Sequence, residues 1–137
     1  MKVKLYKSLP DAAMQIRTEV FVVEQGFVDS PDEVDNIALH FVAYDAERAI
    51  ATCRIFQDGK RGYILGRFAV IKSYRNKGVG SYLLDEVCRA LKDMRAPYIK
   101  LHSQYTAKDF YQKNGFIECA EPEYEQNALH VWMMRTL

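Results

Sequence analysis

The chain of 137 residues lacks the features that mark several large classes of protein. Its three cysteines, Cys53, Cys88 and Cys119, lie far apart without metal-binding or redox spacing, so we expect buried free thiols in a reducing cytoplasm. No apolar run approaches the roughly 20 residues of a membrane span, and residues 1–4 lack the apolar segment of a secretory signal. The net charge of +1 gives no general attraction to nucleic acid or anionic membranes. We therefore expect a cytoplasmic protein with no nucleic-acid partner, no membrane partner and no metal.

The composition and the residue patterns are those of one domain spanning residues 1–137. Hydrophobic residues make up 49% and charged residues 27%, ordinary values for a chain that buries a core. Alternating apolar residues and turn signals predict a first strand at 2–6 and antiparallel strands at 37–44, 49–56 and from Tyr63 onward, with turns at 45–48 and 58–60. A helix from Pro10 to about Val23 should end at Gly26, a residue free to take positive φ.

The second half of the chain predicts a helix between two strands. The helix after Gly80 carries an apolar stripe at helical spacing and ends before Pro97. The stripe consists of Leu83, Val87, Leu91 and Met94. A strand at 98–102, a helix at 107–113 capped by Thr106, and strands at 116–119 and 129–134 joined by an acidic loop complete the chain. Because the helix connects two strands, that pair should be parallel. The predicted fold class is α/β, with a mixed, mostly antiparallel twisted sheet flanked by helices.

Residues 64–84 combine a buried strand, a basic turn with glycines and a helix start. The order is Phe68-Ala69-Val70, then Arg75-x-x-Gly78-x-Gly80, then the helix. The first amides of a helix lack internal partners, the helix dipole is positive there, and glycine lets an anion approach the backbone. A P-loop would need Lys-Ser or Lys-Thr after the last glycine, and a dinucleotide motif would need a glycine where Leu83 stands. Alone, the turn fits either a phosphate site or a surface helix start.

A second motif begins at the end of the next predicted strand. It reads Gln104-x-x-Ala107-x-x-Phe110-Tyr111-x-Lys113-x-Gly115-Phe116. The adjacent Phe110 and Tyr111, taken alone, are also typical of core aromatics at helical spacing. Because both motifs occur in this order with a strand between them, we favour a functional interpretation.

Together the two motifs, across residues 64–116, resemble the signatures of the GCN5-related N-acetyltransferase (GNAT) superfamily. Gln104 stands where the family usually has Asn, which keeps the amide but places it one methylene further out. Residues 16–25, followed by Asp35 and His40, resemble the small bacterial ElaA-type branch. The resemblance implies the acyl-CoA N-acyltransferase fold, with coenzyme A bound where two strands splay apart. It also implies direct transfer of an acetyl group from acetyl-CoA to a primary amine of a small molecule or protein, through a ternary complex.

The resemblance further implies roles for individual residues. Tyr111 would be the general acid beside the sulfur, since a phenol with a pKa of about 10 is protonated at neutral pH. The strand amides of Phe68 and Val70 would bind the pantetheine arm and polarise the acetyl carbonyl. The residues implied to bind the coenzyme are Phe68, Ala69, Val70, Arg75, Asn76, Lys77, Gly78, Val79, Gly80, Ser81, Gln104, Ala107, Phe110 and Lys113.

The base that removes the proton from the amine is left open by the sequence. Glu24, at the end of the first helix, is our first candidate, and His40 has the most suitable ordinary pKa. Water could also carry the proton away. Residues 26–36 form a long acidic stretch with Asp29, Asp32, Glu33 and Asp35. This stretch is either a solvated connection or a binding loop that attracts a cationic amine.

Two other functions remain compatible with the sequence. One is an enzyme with another acyl-CoA or acyl-carrier donor, such as a relative of the acyl-homoserine-lactone synthases. The other is a non-catalytic sensor that binds acyl-CoA, against which the presence of Tyr111 argues. A homodimer is also compatible with the sequence, which does not define the oligomeric state.

Overall fold

The computed structural model describes residues 1–59 and 61–137, so Lys60 of the predicted turn at 58–60 lies outside the described residues. The chain divides into two compact units. The first comprises Met1–Phe56 and Arg67–Val87, and the second comprises Gln57–Gly66 and Cys88–Leu137. Within the described residues, none of the helices is long and apolar enough to cross a membrane.

The strands of the first unit pair in antiparallel order. β1 (Lys2–Tyr6) pairs with β2 (Leu39–Asp45), and β2 pairs with β3 (Arg48–Asp58). The strand predicted at 37–44 begins two residues later, because Ile37 ends a short helix and is 75% exposed. His40 to Ala43 are all buried, so both faces of β2 are covered.

The first helix changes its geometry halfway along. α1 (Asp11–Arg17) continues directly as a π-helical segment (Thr18–Glu24), and Gly26 with a φ of +73° confirms the predicted end. The long irregular stretch predicted at 26–36 contains α2 (Glu33–Ile37). Asp32 caps α2 in a reciprocal capping box with Asp35, which explains why so short a helix forms.

β4 (Gly62–Val70) leads into the predicted basic turn. A short 3₁₀ turn (Lys72–Tyr74) follows, and then α3 (Val79–Asp93). The predicted core stripe of α3 is fully buried at Leu83, Val87 and Leu91, but Met94 lies beyond the helix and is 45% exposed. The stripe is therefore one position shorter than predicted.

In the second unit, the first part of β4 pairs in parallel with β5 (Tyr98–Gln104), from Tyr63 opposite Ile99 to Leu65 opposite Leu101. The predicted parallel pair is confirmed. β8 (Ala128–Thr136) pairs antiparallel with β5, β6 (Ile117–Glu118) and β7 (Glu123–Glu125). The strand order of the sheet is β1-β2-β3-β4-β5-β8-β6, with β7 also on β8. A mostly antiparallel sheet with one parallel pair is the predicted fold class.

Three further predictions for the second unit need correction. The acidic loop before residue 129 contains β7, which turns into β8 through Gln126 and Asn127, both at positive φ as a tight hairpin turn requires. Thr106 does not cap α4 (Lys108–Lys113), because a 3₁₀ turn (Tyr105–Ala107) precedes that helix. Cys119 is an exposed free thiol, whereas Cys53 and Cys88 are buried as predicted.

Candidate active site

The basic turn of the first unit places two residues in the left-handed conformation. Asn76 has a φ of +60° and Gly78 a φ of +80°. α3 follows directly at Val79, and the amide of Tyr82 donates to the carbonyl of Gly78 at 3.0 Å in the first helical turn. The amides of the residues before Tyr82 belong to the helix start that lacks internal partners.

Space for a ligand exists at this turn. A Cβ built on Gly78 would meet nothing within 4 Å, and Asn76, Lys77 and Gly78 are all exposed. Lys77 bends back to donate to the carbonyl of Ser73 at 3.0 Å. An open backbone with positive charge at a helix start suits the phosphates of a coenzyme. We call residues 75–81 the phosphate turn.

Arg75, the first residue of the phosphate turn, is held at both ends of its guanidinium. Its Nε donates to the carbonyl of Val70 at 2.9 Å, and its Nη1 and Nη2 donate to the two carboxylate oxygens of Glu24 at 2.5 and 2.7 Å. The hydrogen bonds from Arg75 hold the pKa of Glu24 below its usual value. The structure therefore brings two predicted site residues together, and it makes Glu24 a weaker base than a solvated glutamate.

His40, the other predicted base, lies 1% exposed on β2. Its Nε2 is 3.0 Å from the carbonyl oxygen of Asp35. Because a carbonyl oxygen only accepts hydrogen bonds, Nε2 carries the proton and donates to the carbonyl oxygen of Asp35. Only Nδ1 of a neutral His40 is left to accept a proton. The catalytic roles of Glu24 and His40 stay predictions, and each side chain has a structural partner.

Three arginines outside the predicted site residues surround the acidic stretch. We call the arginine–aspartate cluster the group that consists of Arg17, Arg54, Arg67, Asp29, Asp32 and Asp35. Arg17 is 1% exposed and contacts Asp29 at 2.9 Å and Asp35 at 2.8 Å. Arg54 contacts Asp32 at 2.7 Å and Asp35 at 2.9 Å. The sequence signal was limited to Arg17, which lies within the stretch that resembles the ElaA-type branch.

The cluster changes the interpretation of the acidic loop. Burial alone would raise the pKa of Asp35, but hydrogen bonds from Arg17 and Arg54 and from the Asp32 amide hold it well below the usual value. The same balance of burial and arginine contacts lowers the pKa of Asp29. Three carboxylates beside three guanidinium groups carry no net charge. These aspartates therefore do not act as a free negative patch that attracts a cationic amine.

The predicted pantetheine-binding residues lie at the end of β4. Ala69 is buried, and Phe68 and Val70 are half-buried. The residue before Phe68, Arg67, has a φ of +50°, which is unusual for an arginine inside a strand. Its side chain contacts Asp29 at 3.1 Å and Asp32 at 3.4 Å. The strand is thus distorted next to the predicted site and held there by ion pairs.

The second motif lies entirely in the second unit. Gln104 ends β5, Ala107 precedes α4, and Lys113 is exposed at the end of α4. Tyr111 is 9% exposed, and its ring packs edge-on against Phe110 and Phe116, with centroids 5.1 and 5.8 Å away. Both aromatic rings pack against the phenol ring of Tyr111. Among residues 1–59 and 61–137, no group of three or more His, Cys, Asp or Glu side chains is placed to hold a metal ion.

The family model for the acetyltransferase (GNAT) domain matches residues 36–118, more than half of the chain. Among curated proteins, the uncharacterized N-acetyltransferase YjcF of Bacillus subtilis is 35% identical over 127 residues. The match covers 90% of this chain and 89% of that relative.

Solved structures agree with the sequence comparisons. The crystal structure of Escherichia coli ElaA aligns with a TM-score of 0.86 at 25% identity and covers 98% of both chains. An acetyltransferase of Bacillus subtilis, solved in complex with CoA, aligns with a TM-score of 0.76 over 99% of this chain and 98% of that chain. Its identity of 15% supports the fold alone. The predicted superfamily resemblance, including the likeness to ElaA, is confirmed.

Proposed function

Because the chain belongs to the acetyltransferase (GNAT) family, we propose that it transfers an acetyl group from acetyl-CoA to a primary amine of a small molecule or protein. The observation that carries the proposal is the phosphate turn. Its left-handed Asn76 and Gly78, its open backbone and the start of α3 form an anion site of the kind that pyrophosphate needs. We propose that the backbone of residues 75–81 binds the pyrophosphate of the coenzyme.

Arg75 has a structural part in this proposal. Because its guanidinium is bonded to Glu24 and to the carbonyl of Val70, it ties the phosphate turn to the end of β4. The amides of Phe68 and Val70 would bind the pantetheine arm and the acetyl carbonyl. A rigid link between the strand end and the turn would then fix the spacing between pyrophosphate and thioester sites.

The reaction we propose is direct transfer within a ternary complex. The neutral amine attacks the thioester carbonyl carbon, a C–N bond forms, and the C–S bond breaks. Tyr111 gives its proton to the departing sulfur, which avoids a free thiolate. The phenolate of Tyr111 regains a proton from solvent after the product leaves. The second motif supports this assignment, because the rings of Phe110 and Phe116 hold Tyr111 from two sides.

Water is the acceptor of the amine proton in this proposal. Glu24 is paired with Arg75, and His40 donates its Nε2 proton to a carbonyl in the core. A base needs both an available lone pair and contact with the amine. The geometry therefore favours solvent over either predicted side chain.

Replacing Gly78 with glutamate tests the proposal. The side chain has room, since a Cβ there meets nothing within 4 Å, and it brings a negative charge to the proposed pyrophosphate site. Gly59→Glu is a matched control, because Gly59 also has positive φ, at +64°, and open space. We expect calorimetry to show severe loss of coenzyme A affinity for G78E and none for G59E. Equal affinity of folded G78E and wild type would refute the proposal.

A further inference from the structure

Arg67 occupies a backbone conformation that arginine rarely takes. Its φ of +50° falls in the left-handed region, although it lies inside β4, a strand of nine residues. In that region the Cβ of an ordinary residue is crowded by its own backbone, so the conformation persists only where the surroundings impose it. Something in this molecule therefore holds Arg67 in place.

The holding contacts come from the arginine–aspartate cluster. Nε of Arg67 donates to Oδ1 of Asp29 at 3.1 Å, and Nη2 donates to Oδ2 of Asp32 at 3.4 Å. The side chain of Asp29 is 4% exposed and accepts two further hydrogen bonds from Arg17, of 2.9 and 3.0 Å. Arg67 is thus anchored to a carboxylate that Arg17 of the first unit also holds.

The second carboxylate is fixed as well. Asp32 caps α2 by accepting from the amide of Asp35, and it accepts a bond of 2.7 Å from Arg54 of β3. Of the two carboxylates that hold Arg67, Asp29 is therefore bound to α1, and Asp32 is bound to β3 and to the start of α2. Such a frame leaves the guanidinium of Arg67 little freedom, although its side chain is 37% exposed.

The conformation of Arg67 sets the direction of the next peptide. The amide of Phe68 directly follows the distorted residue, and a change of Arg67 to an extended conformation would turn that amide. In the proposed function, this amide polarises the acetyl carbonyl. A small misplacement of such a donor lowers the rate strongly, because it must point at the position where negative charge develops.

We propose that Arg67 is a positioning residue: its ion pairs with Asp29 and Asp32 hold β4 in a left-handed kink that aims the Phe68 amide at the thioester carbonyl. The inference rests on the proposed function and adds to it the contacts that orient the Phe68 amide. It also links that donor to the stretch around α2, since the same two carboxylates fix both.

Three substitutions at residue 67 separate the anchor from the backbone conformation. Arg67→Ala removes the ion pairs and keeps the crowding of a Cβ, so β4 should relax towards an extended strand. Arg67→Gly also removes the ion pairs, but glycine takes positive φ freely and should keep much of the kink. Arg67→Lys keeps the charge and can hold one carboxylate at a time. Arg61→Ala is the control, because it removes an exposed arginine of the second unit.

The direct measurement is the ¹³C signal of acetyl-CoA labelled at its thioester carbonyl and bound to each variant. We expect wild type and R61A to shift this signal downfield from the free thioester, since a hydrogen bond polarises the carbonyl. R67A should lose most of the shift, R67G should keep most of it, and R67K should lie between them. The ¹³Cα shift of residue 67 reports the backbone conformation without any ligand, and only R67A should become strand-like.

The kinetic measurement is thiol release with the most active amine of a panel of primary amines. We expect kcat to fall about 10–100-fold in R67A, with KM for acetyl-CoA nearly unchanged, and to recover at least partly in R67G. A wild-type carbonyl shift in folded R67A overturns the inference, as does an equal loss in R67A and R67G. Failure of the wild type to bind acetyl-CoA would instead refute the proposed function. If R67A does not fold, the ¹³C carbonyl shifts of acetyl-CoA bound to R67G, R67K and wild type test the inference instead.

Discussion

Arg75 of the phosphate turn and Glu24, the last residue of the π-helical segment, form a bidentate ion pair with nitrogen–oxygen distances of 2.5 and 2.7 Å. Donating these hydrogen bonds to Glu24 raises the pKa of Arg75, and accepting them from Arg75 lowers the pKa of Glu24. Each partner therefore favours the charged form of the other. Glu24, which the sequence suggests as a base, is thus an anion held against the phosphate turn, and its catalytic role stays a prediction.

This ion pair predicts how the enzyme responds to Glu24→Gln. Because the pKa of Glu24 is lowered, the carboxylate stays ionised across the neutral range and should contribute no limb to the pH profile of kcat. We expect the pH midpoints of kcat to match those of wild type, while the melting temperature falls modestly as Arg75 loses its partner. Glu47→Gln, at an exposed turn, controls for the change in charge. Loss of the acid limb in E24Q alone would restore Glu24 as the base.

Tyr111→Phe tests the proposed acid. The variant keeps the ring between Phe110 and Phe116, so the fold and coenzyme affinity should be preserved. Deleting the proton donor should lower kcat about 10–100-fold, the modest end of acid–base effects. Tyr63→Phe, a half-buried tyrosine of β4, is the matched control. If chemistry limits turnover and Y111F equals wild type, the thiolate leaves without an acid.

Several elements of the fold could be predicted because the residues that determine them are close together in the sequence. The βαβ order, the end of the first helix at Gly26 and the phosphate turn all follow from residues that neighbour one another in sequence. The arginine–aspartate cluster could not be predicted, since its pairs lie up to 38 residues apart, as for Arg67 and Asp29. A charged residue in a single sequence gives no sign of which distant charge it meets.

Smaller elements were missed for other physical reasons. The acidic residues around Tyr124 predict a loop where the structure has β7, and Glu123, Tyr124 and Glu125 are all exposed. The π-helical segment holds four consecutive apolar residues, Val20 to Val23, and such a run has no period that separates a π-helix from an α-helix. The kink at Arg67 has no local signature, because it is imposed by contacts made far away in sequence.

Gly62 shows a packing constraint that the sequence also concealed. A Cβ at this position would lie 2.0 Å from Cζ of Tyr98, whose hydroxyl donates to Asp58 at 2.7 Å. Gly62→Ala must therefore displace the Tyr98 ring, and we expect the free energy of unfolding to fall by at least about 1–3 kcal/mol. Chemical denaturation measures this change.

Two comparisons isolate the ring contact. Gly59→Ala places a methyl group in open space, so only the positive φ of Gly59 opposes it. In a Tyr98→Ala background, Gly62→Ala should be nearly neutral, because the ring that it meets is gone. A loss for G62A that is the same with and without the Tyr98 ring would contradict the packing argument.

The arginine–aspartate cluster predicts loss of stability in acid. Despite burial, which alone would raise them, the pKa values of Asp29, Asp32 and Asp35 are lowered by their arginine partners. The unfolded chain, with aspartates near their ordinary pKa of about 4, then binds protons before the folded chain does. The free energy of unfolding should be constant above about pH 5 and should fall below about pH 4. The fall continues as the pH drops through the lowered pKa values that these aspartates have in the folded protein. Urea titrations between pH 3 and 7 would show this slope.

Asp35→Asn identifies the cluster as the source of that slope. Asp35 is 2% exposed and contacts both Arg17 and Arg54, so the substitution removes one of the two carboxylates that each of these buried arginines contacts. We expect a loss of about 3–5 kcal/mol at pH 7 and a flatter dependence on acid, because one group with a lowered pKa is gone. Asp93→Asn, at the exposed end of α3, should keep both the stability and the slope of wild type. Parallel curves for D35N and wild type would mean that the acid response arises from other carboxylates.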